Sequence, residues 1–200
     1  MKNHPKLEIQ KAGGIAVVLL AAAAVLGIAC GTRAQPAVPY DLQFIDSMVA
    51  HHQAAIDMSL PVDTNAMRPE LKDFARKVVD DQSREIELMK GWRQQWYPGK
   101  PQIPTIMAMP GMKTSMEGMG SGQMKALKGA EYDLMYVDMM IPHHEGAVAL
   151  AREALARATH PEVKELAQRI IDIQQGEIGM MNRWKEEWKA WLTPTAVKGA

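Results

Sequence analysis

Cysteine is almost missing: the 200 residues hold one, Cys30. No intrachain disulfide framework can form. Net charge is missing as well, with 23 Lys and Arg against 23 Asp and Glu; residues 30–200 alone hold 20 and 22. Without a basic stripe, nucleic acid is excluded as a partner. Phenylalanine is scarce at two residues. No run alternates apolar and polar residues between hairpin signals, so no sheet is expected. The spacing Glu-x-x-His, which carboxylate di-iron bundles use, does not occur anywhere. What the chain has instead is methionine, 16 residues, and tryptophan, five.

The N-terminus carries a charged stretch with Lys2, Lys6 and Lys11, then a nearly continuous apolar run over residues 12–29. This pattern predicts a secretory leader over 1–29 and places the working domain outside the cytoplasm, in the periplasm or at the cell surface. The sequence Leu26-Gly27-Ile28-Ala29-Cys30-Gly31 resembles a lipoprotein cleavage site, with Cys30 as the lipidated residue. Gly27 departs from the usual Leu there. Ordinary cleavage near Thr32-Arg33-Ala34, or retention as an anchor helix, are the alternatives. Membrane contact is expected through a lipid anchor or the leader only.

One stretch occurs twice. Asp41-Leu42-Gln43-Phe44-Ile45-Asp46-Ser47-Met48-Val49-Ala50-His51-His52 matches Asp133-Leu134-Met135-Tyr136-Val137-Asp138-Met139-Met140-Ile141-Pro142-His143-His144 at an offset of 92. Four of the six histidines lie in these two pairs. The offset continues through Pro69-Glu70-Leu71-Lys72 and Pro161-Glu162-Val163-Lys164, and on to Trp96 and Trp188. Over residues 41–96 and 133–188, nineteen of 56 positions are identical.

Each repeat predicts two helices. The first runs over about 40–60, capped by Asp41 and ended by Pro61; the second runs over about 69–97, with Pro69 in its first turn and Pro98-Gly99 as its stop. The second repeat predicts helices over about 129–158 and 161–192. The expected fold is all-α: a four-helix bundle over 40–192 made of two duplicated helical hairpins. It follows a linker over 30–39 and precedes a tail over 193–200. Repeat one covers about 41–97 and repeat two about 129–192. The intervening connector, about 98–123, is rich in Met, Pro and Gly and is expected to be non-helical.

On a helical wheel His51 and His52 flank Met48 on the buried face. The second helix brings Gln82, Glu85 and Met89 onto its own apolar stripe. A carboxylate in such a stripe wants a cation, a proton or a strong donor. Met140, His143, His144, Gln174, Glu177 and Met181 repeat the set. We therefore expect metal ligands among Met48, His51, His52, Glu85, Met89, Met140, His143, His144, Glu177 and Met181. Asp41, Gln82, Asp133 and Gln174 would stand behind them. A purely structural His–Glu network with methionine filling is the alternative. At the position of the di-iron Glu the chain has Met48 and Met140. A thioether in place of a carboxylate moves preference toward Cu(I) and its congener Ag(I), with zinc or iron less favoured. Pro142 should kink its helix just before His143. The connector's Met107, Met109, Met112, Met116 and Met119 are expected to be an auxiliary soft-metal set; a hydrophobic lid or a low-complexity linker is the alternative. The tryptophans are expected to close one end of the bundle. His160, opposite Arg68 in the repeat, has no assigned role.

The Asp-x-x-aromatic-x-x-x-Met-[Ile/Val]-x-His-His core, followed by Pro-Glu-[Leu/Val]-Lys and Gln-x-x-Glu-Ile-x-x-Met-x-x-Trp, resembles the bacterial family catalogued as domain of unknown function 305. The resemblance covers about residues 40–192. It implies a ferritin-like four-helix bundle in an exported protein, and some members bind periplasmic copper. It further implies ligands among Met48, His51, His52, Met140, His143 and His144. The family's usual Met-Ile-Pro-His-His is present at 140–144, whereas Ala50 replaces the proline in the first copy. The expected function is binding of Cu(I) or Ag(I) for sequestration, transfer or resistance rather than catalysis, with a metal-transfer protein or efflux system as partner. The rivals are a ferritin-like oxidase or peroxidase and a metal-free helical module.

Overall fold

The computed structural model describes residues 38–104, 107–117 and 122–192. The expected leader with Cys30, most of the linker, Met119 and the tail lie outside the described residues. The described residues form α1 (Tyr40–Ser59), α2 (Val62–Asn65), α3 (Pro69–Trp96), α4 (Met112–Met116), α5 (Gly129–Arg157) and α6 (Pro161–Leu192). A 3-10 turn spans Gly122–Ala126, and no strand occurs among the described residues.

Helix ends follow local chemistry. Pro69 takes the first turn of α3, where its missing N–H costs nothing. At α1 the expected cap is corrected. Pro39 holds the N-cap position with no side-chain bond, and Asp41 lies inside the first turn. Its charge still faces the positive helix end. The one-turn α2 was not anticipated. Helix α5 continues through Pro142.

Buried residues run around most of α1, including Leu42, Phe44, Ile45, Met48, His51, His52 and Ala55. Helix α3 buries a stripe made of Leu71, Phe74, Ala75, Val78, Gln82, Ile86 and Met89. The broad burial of α1 reflects its central place, packed against both α3 and α5; α5 in turn packs on α6. The two His-His helices are thus neighbours, and each hairpin partner lies outside.

The repeats clasp each other reciprocally. Buried Asp41 accepts hydrogen bonds from the Thr159 N–H (3.0 Å) and hydroxyl and from His160 Nδ1 (2.8 Å) at the α5–α6 turn. Its repeat mate Asp133 accepts from the Met67 N–H (3.1 Å) and from Arg68 (3.0 Å) before α3. His160 stacks on Trp96 with ring centroids 3.9 Å apart, and the Arg68 guanidinium lies 4.6 Å over Trp188. His160 therefore acquires a role: it is the counterpart of Arg68 in a duplicated clasp. Trp92 stacks on Trp96, and Trp184 on Trp188. The first pair packs on the apolar cluster containing Phe44 and Val163, and the second on the cluster containing Tyr132 and Leu71. The two pairs close opposite ends of the bundle rather than one end, because duplicated hairpins related by the clasp run in opposite directions.

The connector also departs from expectation. Its Pro and Gly spacing suggests no helix, yet Met112–Met116 contains neither residue and forms α4. Gly111, at φ 76°, turns the chain into it, a conformation only glycine adopts freely. Upstream, Arg93 pairs with buried Asp46 and donates to the carbonyls of Lys100 and Pro101, which pins the connector to α3. Lys185 and Asp138 repeat that pair at the 92-residue offset.

Candidate metal-binding site

All four motif histidines are fully buried, at 0% exposure. The 3.6-residue period places His51 and His52 on adjacent faces of α1, so each finds a different partner. His52 points toward α3, where its Nε2 lies 2.6 Å from the Glu85 carboxylate. His144 does the same toward α6, 3.0 Å from Glu177. His51 and His143 instead face each other across the α1–α5 seam, with ring centroids 3.8 Å apart. The expected grouping within each hairpin is therefore joined by a contact between hairpins.

The hydrogen bonds fix which ring nitrogens carry protons. Ser115, from α4, donates its hydroxyl hydrogen to the Met112 carbonyl at 3.1 Å. It can then only accept from His51, so His51 carries its proton on Nε2, 3.0 Å away. His143 Nε2 donates to the His51 carbonyl at 3.0 Å. His52 and His144 donate from Nε2 to their carboxylates. The Nδ1 atoms of His51, His52, His143 and His144 are all buried and have no hydrogen-bond partner. In a neutral imidazole with hydrogen on Nε2, Nδ1 is a bare lone pair. Four buried ring nitrogens without a partner inside one bundle are the central feature of the site.

The electrostatics disfavour charge on the His51–His143 pair. Burial first, then the neighbouring histidines, hold His51 well below its ordinary value. His143 is lowered likewise, by burial and then by His144 and His52. Burial alone would raise the Glu177 carboxyl, but hydrogen bonds from His144 and Lys77 outweigh it and hold the group below its ordinary value. Lys77 reaches Glu177 from α3 at 3.0 Å. Ser115 lies between the repeats, and the Lys77–Glu177 ion pair is not repeated by Arg169 and Glu85 among the described ion pairs, so the two halves of the site differ.

Met48 and Met89 are fully buried in one apolar cluster, and Met140 and Met181 are fully buried in the other. The carboxylates of Glu85 and Glu177 are not core groups: their side chains are 18% and 13% exposed. With Gln82 and Gln174 they line a narrow cleft between α3 and α6. The Oε1 atoms of Gln82 and Gln174 are buried and unpartnered. Asp41 and Asp133 are corrected as residues behind the site. Each lies ten residues before its histidine, about 15 Å along the helix, and is consumed by the clasp. Of the connector methionines, Met109 and Met112 pack into the core with Met48 and Met89, and Met116 packs partly on it. Met107 is 46% exposed. The lid reading therefore describes Met109 and Met112.

Sequence reasoning missed Ser115 and the glycine pair beneath it. A Cβ on Gly146 would lie 2.3 Å from the Ser115 Cβ, and one on Gly111 would lie 2.6 Å from the Gly146 Cα. Helix α4 reaches His51 only because both positions are glycine. The clue was available: Gly146 replaces Ala54 of the first repeat.

Among the described residues no three His, Cys, Asp or Glu side chains group as metal ligands.

Several proteins of known structure resemble the chain along most of its length. CopM, solved in a Cu(II)-bound form, is 37% identical, with a TM-score of 0.63 over 74% of this chain and 97% of that one. CopM in a Cu(I)-bound form is 36% identical over 74% of this chain and 96% of that one, with a TM-score of 0.61. A DUF305 protein of Streptomyces coelicolor is 27% identical, with a TM-score of 0.65 over 76% of this chain and 94% of that one. An uncharacterized protein of Acanthamoeba polyphaga mimivirus is 40% identical over 57 residues, which are 28% of this chain and only 38% of that protein's length. The family model described as domain of unknown function (DUF305) matches residues 41–195, and with its all-helical bundle the chain belongs to that family.

Proposed function

We propose that the chain is an exported carrier of a soft metal ion, Cu(I) with Ag(I) as congener, held by reversible coordination in the bundle. The observation that carries the reading is the set of four buried imidazoles with unpartnered Nδ1 atoms. These nitrogens would bind the ion, with Met48, Met89, Met140 and Met181 as soft donors. Glu85 and Glu177 would act less as ligands than as anchors that orient His52 and His144 and raise their basicity. CopM, also solved with silver bound, supports copper or silver as cargo. The chemistry is binding rather than turnover. The predicted leader and Cys30 support export and lipid anchoring.

A metal-free structural network is the second reading, favoured by the Nε2 atoms, every one of which already has a partner. Anaerobic titration with Cu(I) against a competing chelator, followed by metal stoichiometry, separates the two. The protein is compared with a variant carrying His51→Ala, His52→Ala, His143→Ala and His144→Ala, its folding checked by circular dichroism. Tight binding lost in a folded variant supports the bundle site. Unchanged binding refutes it. Retention of zinc or iron in preference to Cu(I) refutes the argument from ligand softness.

A further inference from the structure

A second group of thioethers lies outside the histidine set. A cavity of about 390 Å³, partly open to solvent, has ten lining residues, and four of them are Met58, Met116, Met124 and Met139. Methionine is 16 of 200 residues overall, so its share of this lining is several times its share of the chain. The four come from α1, α4, the 3-10 turn and α5, so only the tertiary fold assembles them. Met116 belonged to the connector set; Met58, Met124 and Met139 had no assigned role.

The position of the cavity matters as much as its composition. Its lining residue Ala54 is three residues past His51 on α1, and Met58 is seven past it, on the same face. Met139 is one turn before His143 on α5. Met116 follows Ser115, whose hydroxyl meets His51. Three of the elements that line the cavity, α1, α4 and α5, are thus also the elements that carry His51, Ser115 and His143. Those histidines are fully buried, so any ion reaching them needs a route, and this is a solvent-open recess one helical turn away. The charged groups at its wall, Asp57 and Lys125, oppose each other. The other polar groups of the lining are Asn65, whose amide oxygen accepts from Lys128, and Tyr132; the thioethers are its soft donors. Methionine is unbranched and polarizable, so its sulfur can swing inward to close on an ion smaller than the space.

We propose that this cavity is a soft-cation capture site, separate from the histidines, which takes Cu(I) or Ag(I) from solvent on the sulfurs of Met58, Met116, Met124 and Met139. The inference extends the carrier reading above and rests on it for the identity of the cargo. Capture here is ligand exchange only, with water leaving the ion and no change in oxidation state.

The test uses the protein labelled with carbon-13 at its methionine methyl groups and titrated with silver nitrate. The methyl resonances of Met58, Met116, Met124 and Met139 are expected to shift as Ag(I) is added. Replacing these four by leucine, which conserves volume and apolar packing, is expected to remove one bound Ag(I) per chain while the protein remains folded. The four-histidine variant is titrated in parallel. If the cavity binds independently, its methyl groups still respond there, so failure of the histidine site and failure of the cavity are read separately. Unmoved methyl resonances at these four positions, or an unchanged Ag(I) stoichiometry in the leucine variant, would overturn the proposal.

Discussion

Gly146→Ala discriminates sharply between a docked and an undocked α4. In an isolated helix the change would stabilise, because Ala is favoured over Gly by about 1 kcal/mol. The first repeat already carries alanine at the equivalent position, Ala54. Here, however, the new Cβ would lie 2.3 Å from the Ser115 Cβ and 2.8 Å from the Gly111 carbonyl oxygen. Carbon atoms rest at roughly 3.5–4.0 Å, and neither neighbour is the free end of a flexible side chain. Helix α4 must retreat by more than about 1 Å, loosening Met112, which is fully buried. Overpacking of this kind costs about 1–3 kcal/mol. Set against the propensity gain, and with part of the Met112 packing lost, the net expectation is a loss of about 1–2 kcal/mol. The assay is urea unfolding of the metal-free protein, with Ala54→Gly as the control. At position 54 the propensity cost alone applies, a loss of about 1 kcal/mol. Each kcal/mol corresponds to a shift of about 2–4 °C in Tm for a chain of this size. A gain in stability for Gly146→Ala would refute the α4 packing, and with it the account of how Ser115 orients His51.

The stability of the metal-free protein should depend on pH through His51 and His143. Their folded values lie below the free-imidazole value of 6.5, so the unfolded chain binds protons first. Their contribution is complete above about pH 6.5 and is lost as pH falls below it, at up to about 1.4 kcal/mol per pH unit for each group. Urea midpoints measured from pH 7.5 to 5 check this, and a flat profile would contradict the neutral burial of the pair. The duplicated clasp predicts that His160→Arg is tolerated, within about 0.5 kcal/mol, because Arg68 makes the same ion pair and stack in the other repeat. Asp41→Ala should cost about 1–3 kcal/mol in thermal unfolding, since it strands the Thr159 and His160 donors.

Most of what local chemistry governs was legible in the chain, the cap at Pro39 and the single turn of α2 excepted. The 92-residue repeat, the helix ends at Pro61, Pro69 and Pro161, and the His–Glu facing within each hairpin follow from proline, periodicity and side-chain spacing, which act over a few residues. Pairings between elements were not legible. Asp41 reads as a cap from its neighbours, but the fold sends Thr159 and His160 to it from 118 and 119 residues away. The tryptophans read as one end of the bundle until the clasp sets the hairpins head to tail. Residues 112–116 read as part of an irregular linker because the helix there depends on a glycine contact with α5. The sequence alone determined that this is a duplicated helical bundle with paired histidines and abundant thioethers. Only the tertiary structure decided that His51 meets His143, that Ser115 and Lys77 make the two halves unequal, and that four methionines from four elements share one cavity. Periodicity specifies which face of a helix is buried, whereas the partner of that face depends on packing between segments that no local pattern encodes.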